Sequence, residues 1–122
     1  MEDTALRLAE TLYSQNNFEA VLRVLGKVVK NNPQCDLAFQ IMAATLVDLG
    51  RFKDAVKAAS RAIQINSAEQ RNWFTLGTAH YYLFQFGPAI EAFQRTSELE
   101  GDKKVHAMFS VFYCKQMVCF LY

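Results

Sequence analysis

Proline and glycine are scarce in this chain, with two and five residues among 122. Folds made of many short strands spend both residues on their turns, so the scarcity favours helices. Cysteine is scarce as well. Cys35, Cys114 and Cys119 are an odd number without framework spacing, which speaks against a disulfide-stapled secreted domain. No Cys-x-x-Cys pair and no Cys/His cluster has the spacing of a zinc site, so no metal is expected. Charge of one sign is lacking too: 13 Lys+Arg face 12 Asp+Glu, a formal net charge of +1. Bulk electrostatic attraction to nucleic acid or to an anionic membrane is thereby excluded, although a local patch is not. The first residues, Met1-Glu2-Asp3-Thr4, lack the basic start and apolar stretch of a signal peptide, and the expected compartment is the cytosol or nucleus. Cys119-Phe120-Leu121-Tyr122 has the outline of a prenylation box, but Tyr is not a usual final residue. What the chain does have is apolar material, 52% against 20% charged, enough to bury the core of one compact domain.

That material is periodic. A shift of 34 residues superimposes Phe18, Phe52 and Phe86. The same shift aligns Leu8 with Met42 and Leu76, and the small residues Ala9, Ala43 and Gly77. It also aligns Val21, Ala55 and Ala89, and Leu22, Val56 and Ile90. So many independent matches at one offset define an internal repeat.

Inside each unit the apolar residues recur at helical spacing, in two runs with a short polar break between them. Ala5, Leu8, Ala9 and Leu12 share one face in the first run; Val21, Leu25 and Val28 do so in the second. Gly50 falls where the third helix ends, at a position suited to positive φ. Asn32-Pro33 breaks the chain between units, and Pro88 opens the sixth helix, where a missing N–H costs nothing. Ser67-Ala68-Glu69-Gln70 has the form of a capping box for the fifth helix. The spacing predicts helices near 2–15, 18–31, 35–49, 52–65, 68–83, 87–99 and 103–119, an all-α chain.

Trp73-x-x-Leu76-Gly77, followed by Ala89 and Phe93, resembles the tetratricopeptide repeat, a helix-turn-helix unit of 34 residues. The resemblance spans residues 1–103 as three units, 2–35, 36–69 and 70–103, with 104–122 as an apolar C-terminal helix that could begin a fourth. The family's aromatic opener falls on Ala5, Phe39 and Trp73, its small residue on Ala9, Ala43 and Gly77. Its second-helix alanine falls on Val21, Ala55 and Ala89, and its closing proline on Pro33, Ser67 and Gly101. This chain departs from the pattern at Ala5, at His80 in place of Tyr, and at Ala59 in place of a bulky residue.

The resemblance implies a right-handed α-solenoid whose first helices line a concave groove. Carried over residue by residue, the groove positions are Leu6, Glu10 and Tyr13; Leu37, Gln40, Ala44 and Val47; and Arg71, Phe74, Thr78 and Tyr81. Family members that clamp the acidic C-terminal tails of chaperones do so with Lys, Asn and Arg. The corresponding places here hold Leu6, Glu10, Ile41, Arg71 and Thr75, and Arg71 alone keeps a suitable charge. One Arg beside Glu10 does not offset the desolvation of a terminal carboxylate. The expected partner is therefore an apolar peptide or amphipathic helix of another protein.

Catalytic chemistry finds little support in the residues. His80 sits at a packing position of an apolar helix, and His106 stands alone in the tail. No phosphate-binding glycine loop, nucleophile elbow or paired-carboxylate arrangement is present. The chain is read as a non-enzyme with no cofactor. Arg23, Lys27 and Lys30 on the second helix, with Lys53, Lys57 and Arg61 on the fourth, form a basic ridge that Arg95 extends and Glu91 interrupts. It is read as a solvated face and not as a nucleic-acid site, because no exposed aromatics interleave with it.

The tail is apolar on every side, with Met108, Phe109, Phe112 and Val118 as its candidate association residues. It could start a fourth repeat, pair with another chain, or enter a membrane. Lys115 near its middle and its short length speak against the membrane. The alternative to a groove-binding scaffold is thus a structural, self-associating subunit held by this helix.

Overall fold

The structure, a computed structural model, describes residues 2–99. Six α-helices follow in order: α1 (Glu2–Ser14), α2 (Phe18–Asn31), α3 (Asp36–Asp48), α4 (Phe52–Ile65), α5 (Gln70–Tyr82) and α6 (Phe86–Leu99). No strand occurs among the described residues. The expected tail helix over 103–119, with Met108, Phe109, Phe112 and Val118, lies outside the described residues, as do the last residues of the third unit. Each odd helix packs on the even helix after it. Neighbouring pairs meet through α2 with α3 and α4 with α5, while α1, α3 and α5 line up along one side.

The turn inside each pair is the same device used three times. Asn16, Gly50 and Phe84, spaced by the repeat, have φ of 61°, 76° and 62°. In each turn two backbone N–H groups return to the helix just finished: Asn16 to Tyr13 and Asn17 to Leu12, Gly50 to Val47 and Arg51 to Leu46, Phe84 to Tyr81 and Gln85 to His80. This is the Schellman geometry, which satisfies the last carbonyls of α1, α3 and α5 and reverses the chain. Gly50 meets the left-handed requirement without strain. Phe84 meets it at a cost, because a Cβ crowds the following carbonyl in that region.

The turns between pairs depend on asparagine. The Asn32 side-chain carbonyl accepts from Gln34 N–H at 3.1 Å, and its amide donates to Glu2 Oε2 at 3.0 Å. Asn66 repeats both bonds, to Ala68 N–H at 3.2 Å and to Asp36 Oδ2 at 3.1 Å. Each asparagine thus ties the end of an even helix to the start of its own odd helix. The expected capping box at Ser67 does not form. Helix α5 starts at Gln70, and the Glu69 carboxylate accepts from Arg71 N–H at 3.3 Å. The Asn66 turn takes up Ala68 instead, and the Ser67 carbonyl accepts from Trp73 Nε1 at 2.8 Å.

The core is a row of small contacts. Ala9, Ala43 and Gly77 are all buried at the repeated small position. The residue sixteen positions later in each unit is Leu25, Ala59 and Phe93. Ala9 shares a core cluster with Leu25, and Ala43 with Ala59. At Gly77 the complementarity is direct: a Cβ there would stand 2.7 Å from Phe93 Cε1 and 2.8 Å from Cδ1. The smallest residue faces the largest partner.

Two expectations for α1 need correction. Leu8 was placed on the apolar face, but it is 49% exposed. Its equivalents Met42 and Leu76 pack against the core of the pair before their own, and α1 has no earlier pair among the described residues. Leu6, expected in the groove, is buried in the core with Ala9 and Leu25.

Gly77→Ala should cost about 1–3 kcal/mol, since the Phe93 ring sits in a packed interior and must shift. Gly77→Leu should unfold the α5–α6 pair. Adding Phe93→Leu to Gly77→Ala should recover part of the loss, a coupling readable from thermal melts as a double-mutant cycle. In the same melts Phe84→Gly should stabilise the full chain by about 1 kcal/mol, by releasing left-handed strain. An unchanged or lower midpoint would show that the Phe84 ring contributes more than the strain costs.

Candidate functional site

The concave side is built by α1, α3 and α5, and a cleft of about 370 Å³ opens there. From α1 it takes Glu10 and Tyr13, and from α3 Leu37, Gln40 and Ala44. From α5 it takes Arg71 and Phe74. The geometry therefore brings seven of the eleven groove positions onto one surface. Ile41 and Thr75, named as two of the chaperone-clamp positions, line it as well. Leu6 does not, being buried beneath α1. Val47 packs against the second core cluster, the Thr78 hydroxyl donates to the Phe74 carbonyl, and Tyr81 packs on the third core cluster.

Tyr13 is the most constrained of these side chains. Its hydroxyl donates to the Asp48 carboxylate at the end of α3, and its ring meets Phe18 at 5.5 Å. Burial, and next the neighbouring Asp48, push the phenol up to about 12. At neutral pH it is a fixed donor bridging α1 to α3. Asp48 was not anticipated, because no local spacing links residues 35 positions apart. Phe74 leans on Phe93 with ring centroids 5.6 Å apart, so the cleft floor is continuous with the α5–α6 core.

The electrostatics follow from few groups. Glu10 and Asp48 put negative charge near the α1 end, and Arg71 puts one cation at the α5 end. Arg71 forms no ion pair among the described residues. Leu37 is the most open apolar side chain on the cleft, at 37% exposure. Such a surface suits apolar side chains flanked by one acidic contact.

Away from the cleft, His80 is half-buried with Nδ1 2.7 Å from Gln85 Oε1, a packed and hydrogen-bonded histidine. No group of three or more His, Cys, Asp or Glu that could hold a metal occurs among the described residues, and no helix there is long and apolar enough to cross a membrane. The basic ridge is not wholly solvated. Arg61 lies over the Phe39 ring at 5.8 Å and donates to the Pro33 carbonyl, and Arg95 lies over Trp73 at 5.9 Å.

Among the described residues, six helices in three repeated pairs, with Schellman turns and a small-residue seam at one spacing, define an α-solenoid of helix-turn-helix repeats. No protein-family model matches the chain. It is similar to small glutamine-rich tetratricopeptide repeat-containing protein 2 of Saccharomyces cerevisiae, 29% identical over 107 residues, covering 82% of this chain and 31% of the relative. The protein of the same name from Mycosarcoma maydis is 26% identical over 110 residues, covering 84% of this chain and 31% of the relative. The chain thus spans about a third of the length of these relatives. Among solved structures it resembles the first TPR of Spaghetti (RPAP3) bound to an HSP90 peptide, with a TM-score of 0.92 and 16% identity over 97% of this chain and 93% of that one. The TPR2B domain of yeast Sti1 in complex with an Hsp70 peptide gives 0.89 and 16% over 96% and 98%. The chain has the fold of tetratricopeptide-repeat domains.

Raising the Tyr13 pKa in the fold means its proton is held more tightly there than in the unfolded chain. That contribution to stability is fully present below the ordinary tyrosine value near 10 and is lost as pH rises toward about 12. Spectrophotometric titration of wild type minus Tyr13→Phe should isolate one phenol ionising near 12. Asp48→Asn should move it downward but leave it above the ordinary value, because burial remains. A difference curve at the ordinary value would remove the α1–α3 bridge.

Proposed function

We infer that the chain is a non-catalytic protein-interaction scaffold whose α1–α3–α5 cleft takes an apolar peptide or amphipathic helix of another protein. The observation that carries this reading is the cleft's make-up: Leu37, Ile41, Ala44 and Phe74 form an apolar floor, and Arg71 is its one cation among the described residues. The structural neighbours from Sti1 and Spaghetti, which hold chaperone peptides, support peptide binding as the use of such a surface. The cleft of this chain differs in favouring apolar contacts over a terminal carboxylate. Glu10 and Asp48 repel such a group, and Arg71 alone leaves it short of donors.

A displayed peptide library selected on the full chain tests this. Amphipathic sequences with spaced apolar anchors should be enriched, and peptides ending in the acidic tail of HSP90 should bind no better than scrambled versions. Leu37→Glu, at an exposed position, should weaken the selected peptides at least tenfold with an unchanged circular dichroism melt. Phe74→Glu should do so too, but with some loss of stability through Phe93. Enrichment of acidic tails alone, abolished by Arg71→Ala, would replace the apolar reading with a carboxylate clamp.

A further inference from the structure

In the second and third pairs, a ring on the first helix is covered by a guanidinium 22 positions later, Arg61 over Phe39 and Arg95 over Trp73, at 5.8 and 5.9 Å from the ring centroids. The repeat carries this pairing onto Ala5 and Lys27. The cation is kept and the ring is missing. Val24 and Val28 stand where Ala58 and Ala62 stand, and they refill part of the lost volume. A cleft of about 550 Å³ lies between α1 and α2, and its counterpart in the second pair, about 570 Å³, is lined by Phe39 itself. Ala5, Ala20, Val24 and Val28 wall the α1–α2 cleft, and Arg23 and Lys27 stand at its rim. Leu8, one helical turn on from Ala5, extends the same side and is 49% exposed.

Shape and charge together specify what fits. The sister pairs show that the position accepts a six-membered or indole ring beneath a cation. Arg23, Lys27 and Lys30 recur along one side of α2, all exposed, and none forms an ion pair among the described residues. The carboxylate at the cleft, Glu2, accepts a hydrogen bond from Asn32 that favours its ionised form, so one negative charge stands against the two cations Arg23 and Lys27 on the lining. A cationic rim over an apolar notch is complementary to a ring with acidic neighbours.

We propose that the α1–α2 notch at Ala5 is a second docking site, which takes an aromatic side chain of a partner peptide that carries carboxylates beside the ring. The ring replaces the one that Phe39 and Trp73 supply internally, under the Lys27 ammonium, and the flanking carboxylates meet Arg23 and Lys30. The site shares no lining residue with the α1–α3–α5 cleft and does not depend on it.

The probe is a blocked Asp-Glu-Trp-Glu-Asp peptide, titrated into the isotope-labelled full chain and followed by amide chemical shifts. Saturable shifts at Ala20, Val24 and Lys27 are expected, weakening as salt is raised and lost when Ala replaces Trp in the peptide. Ala5→Phe, which rebuilds the internal ring, should weaken binding at least tenfold and raise the melting midpoint. Should Ala5→Phe fail to fold, the exposed-rim double variant Arg23→Glu with Lys27→Glu should give the same loss. No binding to wild type at millimolar peptide, equal binding to the variants, or shifts centred on Tyr13 and Leu37 would each overturn the notch.

Discussion

How closely two helices of a pair can approach is decided at a single position, and the stack depends on it. The position holds Ala9, Ala43 and Gly77, and the residue sixteen places on holds Leu25, Ala59 and Phe93. The three pairs solve one packing problem with three volume splits. The α5–α6 pair goes furthest, removing the last methyl group so that a phenylalanine ring can lie on the backbone. Because protein interiors are packed to near-crystalline density, a change on one side must be matched on the other. That matching keeps each pair at similar geometry, so that Schellman turns and asparagine seams can recur at the same spacing.

The departures from the repeat mark where local demands outweigh it. Asn72 stands where α3 has the buried Ala38, and it too is buried, with neither amide atom hydrogen-bonded. An unpaired buried amide typically costs about 1–3 kcal/mol, so Asn72 subtracts from the α5 packing that Gly77 and Phe93 supply. Gln70 stands where Glu2 and Asp36 accept from the seam asparagines, and its own Oε1 is buried without a partner among the described residues. The third pair therefore carries an aromatic in a left-handed turn, an orphaned amide and an orphaned carbonyl. The second pair carries none of these, and a packing ledge of stacked Phe52 and Tyr82 rings, 4.9 Å apart, joins the two.

Helix positions were legible in the sequence because they rest on a pattern repeated three times, where chance agreement is small. Gly50 was legible because only a special backbone conformation needs glycine at that place. What escaped was relational. A period says which residues are equivalent, not whether each copy has the same neighbours. Leu8 aligns with Met42 and Leu76 yet is exposed, since their contacts are made by the preceding pair. Leu6 falls on a groove register yet turns into the core. The Ser67 cap looked sound as four letters, but the Asn66 turn takes up Ala68 N–H and α5 starts only at Gln70. The cation-over-ring pairs and the Tyr13–Asp48 bridge join residues distant in sequence, and no short window contains both partners.

The same α1 helix serves both surfaces, with Ala5 at the notch and Glu10 and Tyr13 at the concave cleft. Eight residues of helix separate Ala5 from Tyr13, about 12 Å at the usual rise. Tyr13 ties the far end of α1 to α3 through Asp48, and Glu2 ties its near end to the α2–α3 turn through Asn32. The helix is therefore held at both ends by bonds that do not involve either surface's apolar floor. A ligand on one surface acts on a strut already fixed, so little of its binding energy is spent on ordering α1. The two surfaces also differ in what they ask of a ligand. The concave cleft, with Glu10 and Asp48 against Arg71, is net negative, and on the function proposed above it selects by apolar shape. The proposed notch, rimmed by cations that form no ion pair among the described residues, would select by charge as well as by fit. A partner satisfying one would not by that fact satisfy the other, so the two proposed sites call for unlike segments.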